Sequence, residues 1–78
     1  MGKFELYAEL VAISVMTDEL TEKTRLITLL VDKYQYRDDI EAECIRIGME
    51  IQLDAIRDTM MCMQERTLFI QEMLGLGE

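Results

Sequence analysis

The sequence predicts an all-α fold, an antiparallel helical hairpin with long arms, on three observations. Proline is absent, and of the four glycines only Gly48 lies away from the chain ends, so little interrupts helix. Apolar residues recur in steps of 4 and 3 along both halves of the chain. A polar stretch, QYRDDIEAE, separates the two runs. These place a single helical domain over residues 1–78, with arm one over about 3–35, a turn over 35–39 and arm two over about 39–74.

Arm one follows from Leu6, Leu10, Ile13, Thr17, Leu20, Thr24, Ile27, Val31 and Tyr34, whose spacing is that of a heptad seam. At 1.5 Å per residue each unbroken arm would be on the order of 50 Å long, against an average helix of about 11 or 12 residues. A break is therefore to be weighed. Thr17, followed by Asp18 and Glu19, has the composition of a new helix start. The sequence leaves both a continuous first arm and a three-helix arrangement open.

The turn and the start of arm two are marked by acids. Asp38 and Glu41 have capping-box spacing, and Asp39, Glu41 and Glu43 suit the positive end of a helix dipole. A helix is predicted to begin near Asp38 or Asp39. Arm two then runs along Ile45, Met49, Leu53, Ile56, Met60, Met63, Thr67, Ile70 and Leu74. Gly48 costs roughly 1 kcal/mol relative to alanine but sits inside a continuing apolar pattern. At the far end, Gly75 followed by Leu76 has the form of a Schellman closure, so the helix should stop near Leu74.

Each arm carries more apolar residues than one seam uses: Tyr7, Val11, Val15, Leu26, Leu29 and Leu30 on the first, Ile40, Cys44, Ile47, Ile51, Met61, Leu68 and Phe69 on the second. A stripe this broad is characteristic of bundle helices, which contact two neighbours. Two hairpins pairing into a four-helix bundle would satisfy it, and a homodimer is the expected assembly. The size agrees, since a chain this short buries only about 60% of its unfolded surface and benefits from a partner.

Composition narrows the function classes. Sixteen acidic residues against eight basic give a net charge of −8, which repels phosphate backbones and anionic headgroups, so neither direct nucleic-acid binding nor a membrane surface is expected. Glu5 and Glu9 interrupt the apolar character a secretory signal would need, and Leu6 stands where a myristoylation motif requires Ser or Thr. No uninterrupted apolar run approaches the 18 or so residues of a membrane span. With only Cys44 and Cys62, the chain lacks the cysteine density of small secreted domains, and a cytoplasmic location is expected. The two thiols, 18 positions apart, would stand about 27 Å apart on an unbroken helix, beyond bridging range.

Histidine is absent, and with it the commonest general base and metal ligand. No glycine-rich phosphate loop is present. Carboxylates remain: Glu19 and Glu22 form an E-x-x-E pair, and Glu50 and Asp54 stand one turn apart on the second arm, a pattern able to hold Mg²⁺ between helices. These four positions resemble the all-α nucleotide pyrophosphohydrolases of the MazG kind, which place E-x-x-E on one helix and E-x-x-D on a later one. The resemblance implies a Mg²⁺-dependent nucleotide hydrolase using Glu19, Glu22, Glu50 and Asp54. The second pair departs from that pattern, with three intervening residues rather than two. Otherwise the acids read as a solvated face, with Arg25, Arg46 and Arg57 available to pair with them. No cofactor is expected.

The stretch RDTMMCMQERTLFIQEMLGLGE concentrates soft apolar side chains at one end of the chain. Met60 and Met63 lie on the seam. Met61 and Leu68 continue the charged register of Glu43, Arg46, Glu50, Asp54 and Arg57, so apolar residues enter the polar side. Methionine adapts to partners of varied shape. Met60, Met61, Met63, Leu68, Phe69 and Met73 are the candidate partner-binding residues. Leu6, Leu10, Ile13, Leu20, Ile27, Val31, Met49, Leu53, Ile56, Ile70 and Leu74 are the expected core or dimer seam. The function expected is binding and occluding or bridging another protein with a basic rim, as an adaptor, chaperone or inhibitor of the size and style encoded by a phage or other mobile element. The alternatives are the Mg²⁺ enzyme and a structural assembly subunit.

Overall fold

A computed structural model describes residues 2–76 and contains two α-helices, α1 (Lys3–Tyr34) and α2 (Ile40–Leu74), packed side by side in opposite directions. No strand occurs among the described residues. The fold is all-α, a helical hairpin.

α1 is continuous over 32 residues, so the three-helix alternative is not what forms. Thr17 lies in register between Ile13 and Leu20 and is half-buried against the opposite helix. Packing on both sides of Thr17 outweighs its capping preference, because helices draw most of their stability from the packed face.

The turn is set by polar groups. Asp39 has an extended backbone (φ −80°, ψ 158°), and its carboxylate accepts from the Ala42 N–H at 2.7 Å. The capping residue is therefore Asp39 and not Asp38, and the residue three further on is Ala42, which cannot return a bond as a glutamate would. Arg37 also donates to the Asp39 carboxylate, at 2.9 Å. The Arg46 guanidinium reaches back to donate to the carbonyls of Tyr34 and Arg37, the latter at 2.8 Å. It thereby ties the last carbonyl of α1 and a carbonyl of the turn to α2. At the other terminus Gly75 adopts φ +76°. Its N–H donates to Glu72, and the Leu76 N–H donates to Gln71 at 2.8 Å, the two bonds of a Schellman closure.

Burial follows the seam. Leu6, Ala42 and Ile70 are buried, the last two completely, and the remaining seam positions in both arms are half-buried. Two residues join this interface that the apolar spacing passes over: Ala42, with no exposed surface, and Arg46, half-buried. The heptad of α2 therefore runs through Ala42, Arg46 and Met49, and Ile45 lies beside it.

The molecule measures 54 × 21 × 15 Å, a single layer of two helices. Its radius of gyration is 17.2 Å, against about 11.5 Å for a compact chain of this length. One layer leaves two broad sides open, whereas domains ordinarily close a core between two layers.

Candidate partner-binding surface

Seam residues fall into two columns. The first, lettered d, holds Leu6, Ile13, Leu20, Ile27 and Tyr34 on α1 and Ala42, Met49, Ile56, Met63 and Ile70 on α2, and is apolar but for the Tyr34 hydroxyl. The second, lettered a, contains Lys3, Thr17, Thr24, Arg46 and Thr67 among its apolar members. Successive residues turn by about 100°, so the a column leans towards one broad side of the hairpin and the d column towards the other.

The surface grooves follow this division. On the a side an open groove of about 620 Å³ is lined by Thr17, Thr24, Thr28, Thr67, Met60 and Met61, with Arg57 and Gln64 at its rim. It exists because threonine is shorter than leucine and leaves the seam underfilled. The Thr24 hydroxyl donates to the Leu20 carbonyl at 2.9 Å and the Thr28 hydroxyl to the Thr24 carbonyl at 2.8 Å. These bonds occupy the hydroxyl protons within the helix, and the groove is more apolar than its threonines suggest. A shallower extension between Ser14, Asp18 and Gln71 continues it towards the chain ends. We call this the threonine side.

On the opposite side a groove runs between Lys23 and Leu26 of α1 and Gln52 and Ala55 of α2, floored by Leu20, Ile27 and Ile56 of the d column. The same flank holds an ion pair between the helices. Arg66 donates through Nη2 to Glu9 Oε1 at 3.0 Å and through Nε to Oε2, and its guanidinium lies 5.5 Å from the Phe69 ring centroid. The bonds from Arg66 hold the Glu9 carboxyl below its usual range, partly opposed by desolvation. We call this the ion-pair side.

The six candidate partner residues do not form one patch. Met60 and Met63 are half-buried in the seam. Met61 and Leu68 are exposed towards the threonine side, where Met61 borders the groove. Phe69 and Met73, also exposed, lean towards the ion-pair side. At about 100° per residue, Glu65 and Glu72 fall between the two pairs along the outer edge of α2. Adjacent positions in sequence are thus parted by an acidic strip.

The four carboxylates of the enzyme alternative are likewise not gathered within one chain. Glu22 pairs with Arg25, whose hydrogen bonds hold its carboxyl low, and Asp54 lies 3.8 Å from Arg57. Among the described residues no group of three or more potential ligands converges. Cys44 and Cys62 are both free and exposed. Among the described residues no helix is long and apolar enough to cross a membrane.

The threonine groove and the Glu9–Arg66 pair are what the apolar pattern alone does not locate. The groove has a signal in the sequence, threonine at three a positions and at no d position. The pair has none, since its partners are 57 residues apart and meet only in one register. No protein family, curated protein or solved structure matches the chain.

Proposed function

We propose that the protein is an interaction module that works by burying apolar surface against other chains: a second copy of itself in a four-helix bundle, and another protein with a basic rim. The observation that carries this is the surface of the lone chain. It exposes 6096 Å², about 1,200 Å² more than the roughly 4,900 Å² expected of a compact 9.1 kDa protein. Much of that surface is large and apolar, including Val11, Val15, Leu29, Ile47, Ile51 and Leu68, each more than half exposed. Exposed apolar surface beyond scattered single residues is characteristic of binding sites.

The net charge of −8 selects a positively charged rim and speeds encounter more than it adds affinity. Occlusion of a partner's surface, as an adaptor, chaperone or inhibitor acting in the cytoplasm, is the mode this chemistry suits. Apolar residues on both broad sides also favour a second reading, a subunit of an open assembly. Sedimentation velocity across a hundredfold range of concentration tests both. A species that stops at two copies supports the module, and continued growth supports the assembly subunit. A single-copy species that binds no hydrophobic dye refutes both. The variant Met61→Asp with Phe69→Asp, which charges both sides, should lose association while retaining its helical circular dichroism.

A further inference from the structure

The geometry points to the ion-pair side, and not the threonine side, as the face that a second copy of this chain covers. This rests on the self-association proposed above and adds which of the two broad sides carries it. Two separate copies expose 6096 Å² each, whereas a compact protein of twice the mass exposes roughly 8,100 Å², so closing the pair buries about 4,000 Å², within the range of obligate homodimers. One 54 × 21 Å side supplies a footprint of about 1,100 Å² per copy before side-chain relief is counted. A single side thus supplies about 2,200 Å² over the pair, roughly half of what full closure buries and at the lower end of the obligate range.

Three features choose between the sides. First, the d column leans towards the ion-pair side and contains the three hydrophobic residues buried among the described residues, Leu6, Ala42 and Ile70, whereas Lys3, Arg46 and the threonines at seam positions lie in the a column. A bundle centre built on d positions is apolar; one built on a positions would enclose the Lys3 ammonium and the Arg46 guanidinium at a desolvation cost. Second, the flank of α2 beside the seam on the threonine side reads Glu43, Glu50, Arg57, Gln64 and Gln71, five long polar side chains in a row. The matching flank on the ion-pair side reads Ile45, Gln52, Thr59, Arg66 and Met73, and its one charge is already paired with Glu9. With Lys23 of α1 the only further charge beside the seam there, this side sets no uncancelled acid of the seam flanks of a chain of net charge −8 against its own copy. Third, the next column outward on α2 is Gly48, Ala55, Cys62 and Phe69, and nothing lies within 4 Å of a Cβ built on Gly48. Gly48, Ala55 and Cys62, small residues at seven-residue intervals, allow a second layer to approach closely up to Phe69. The threonine groove then faces outward, with Met61 and Leu68 beside it.

The test uses the full chain and two double variants of exposed residues. Leu26→Glu with Phe69→Glu charges the ion-pair side; Val11→Glu with Met61→Glu charges the threonine side. By sedimentation equilibrium the first should raise the dimer dissociation constant at least about a hundredfold, and the second should leave it within about threefold. The reverse pattern, equal loss in both, or no loss in either overturns the assignment. A wild-type chain that stays single at high concentration overturns the self-association on which it rests. A second measurement needs no variant. Cys62 lies on the ion-pair side and Cys44 on the outer edge of α2, and both are exposed in the lone hairpin. In the dimer, iodoacetamide should alkylate Cys62 at least about tenfold more slowly than Cys44, read by mass spectrometry. Equal rates in a dimeric sample overturn the assignment.

Discussion

Replacing Ile70 by alanine removes the largest fully buried side chain among the described residues. Three carbons leave a site with no exposed surface, and at about 0.8 kcal/mol per buried carbon the transfer contribution is roughly 2.4 kcal/mol. A cavity contribution adds to this wherever the walls cannot collapse. The hairpin is only 15 Å thick, so the hole lies within one side chain of solvent and is partly refilled by neighbours or water. Transfer and residual cavity together come to about 3 kcal/mol, inside the range of about 2 to 5 for such truncations. For a domain this small, each kilocalorie lowers the melting temperature by about 4 to 8 °C, so a fall of roughly 12 to 24 °C is expected. Circular dichroism melting at one fixed protein concentration measures it, with concentration held because self-association would move the midpoint. Val11→Ala, at a position 64% exposed, serves as the control and should cost less than about 0.5 kcal/mol. A loss below about 1 kcal/mol for Ile70→Ala would refute the placement of Ile70 in the closed seam.

Other outcomes follow from single features. Ala42→Leu forces a larger side chain into a site with no exposed surface and should destabilise by about 1 to 3 kcal/mol in urea unfolding, an unchanged midpoint counting against close helix contact there. The Ala42 N–H, and after it Arg37, hold the Asp39 carboxyl below its ordinary value of 3.8; its stabilisation is complete above that value and is lost as pH falls through the lowered one. Asp39→Asn keeps a capping oxygen without the charge, so its deficit at neutral pH should shrink as pH falls below 3.8, and a constant deficit would contradict the assignment. Glu9→Gln should lower the melting temperature in dilute buffer and much less in about 1 M salt, where exposed ion pairs are screened; salt independence would argue that the pair with Arg66 contributes nothing. Gly75→Ala places a side chain at φ +76° and should cost about 1 kcal/mol with loss of helix at the C-terminal end, measurable by amide exchange of the last turn.

The hairpin is legible in this sequence because its determinants are local. The steps of 4 and 3 from Leu6 to Tyr34 pass through the same residues that the fold leaves half-buried, and Gly75 with Leu76 carries its own closure. What is not legible depends on groups meeting across the turn. Asp38 and Asp39 are alike as capping residues, and only the folded turn shows that Asp39 receives the Ala42 N–H. Ala42 carries too little apolar surface to register as core, and Arg46 reads as a surface cation although its stem lies in the interface and its head binds carbonyls. Thr17 has the side chain of a helix start, yet the opposite helix holds it in mid-helix. The candidate partner surface was legible as composition but not as arrangement. Closeness along a helix is not closeness around it, and Glu65 and Glu72 part Met61 and Leu68 from Phe69 and Met73.

Repeating seams carry a hazard, because sliding one rod past the other by seven residues, about 10 Å, offers nearly the same apolar match. This chain is latched against such sliding at both ends. A seven-residue shift would carry Glu9 away from Arg66 to face Thr59 or Met73, and it would pull the Arg46 guanidinium off the carbonyls of Tyr34 and Arg37. The five residues between the helices have little slack to follow. Two arginines near opposite tips of the rod thus act as a vernier, selecting one alignment from several that greasy side chains alone would accept.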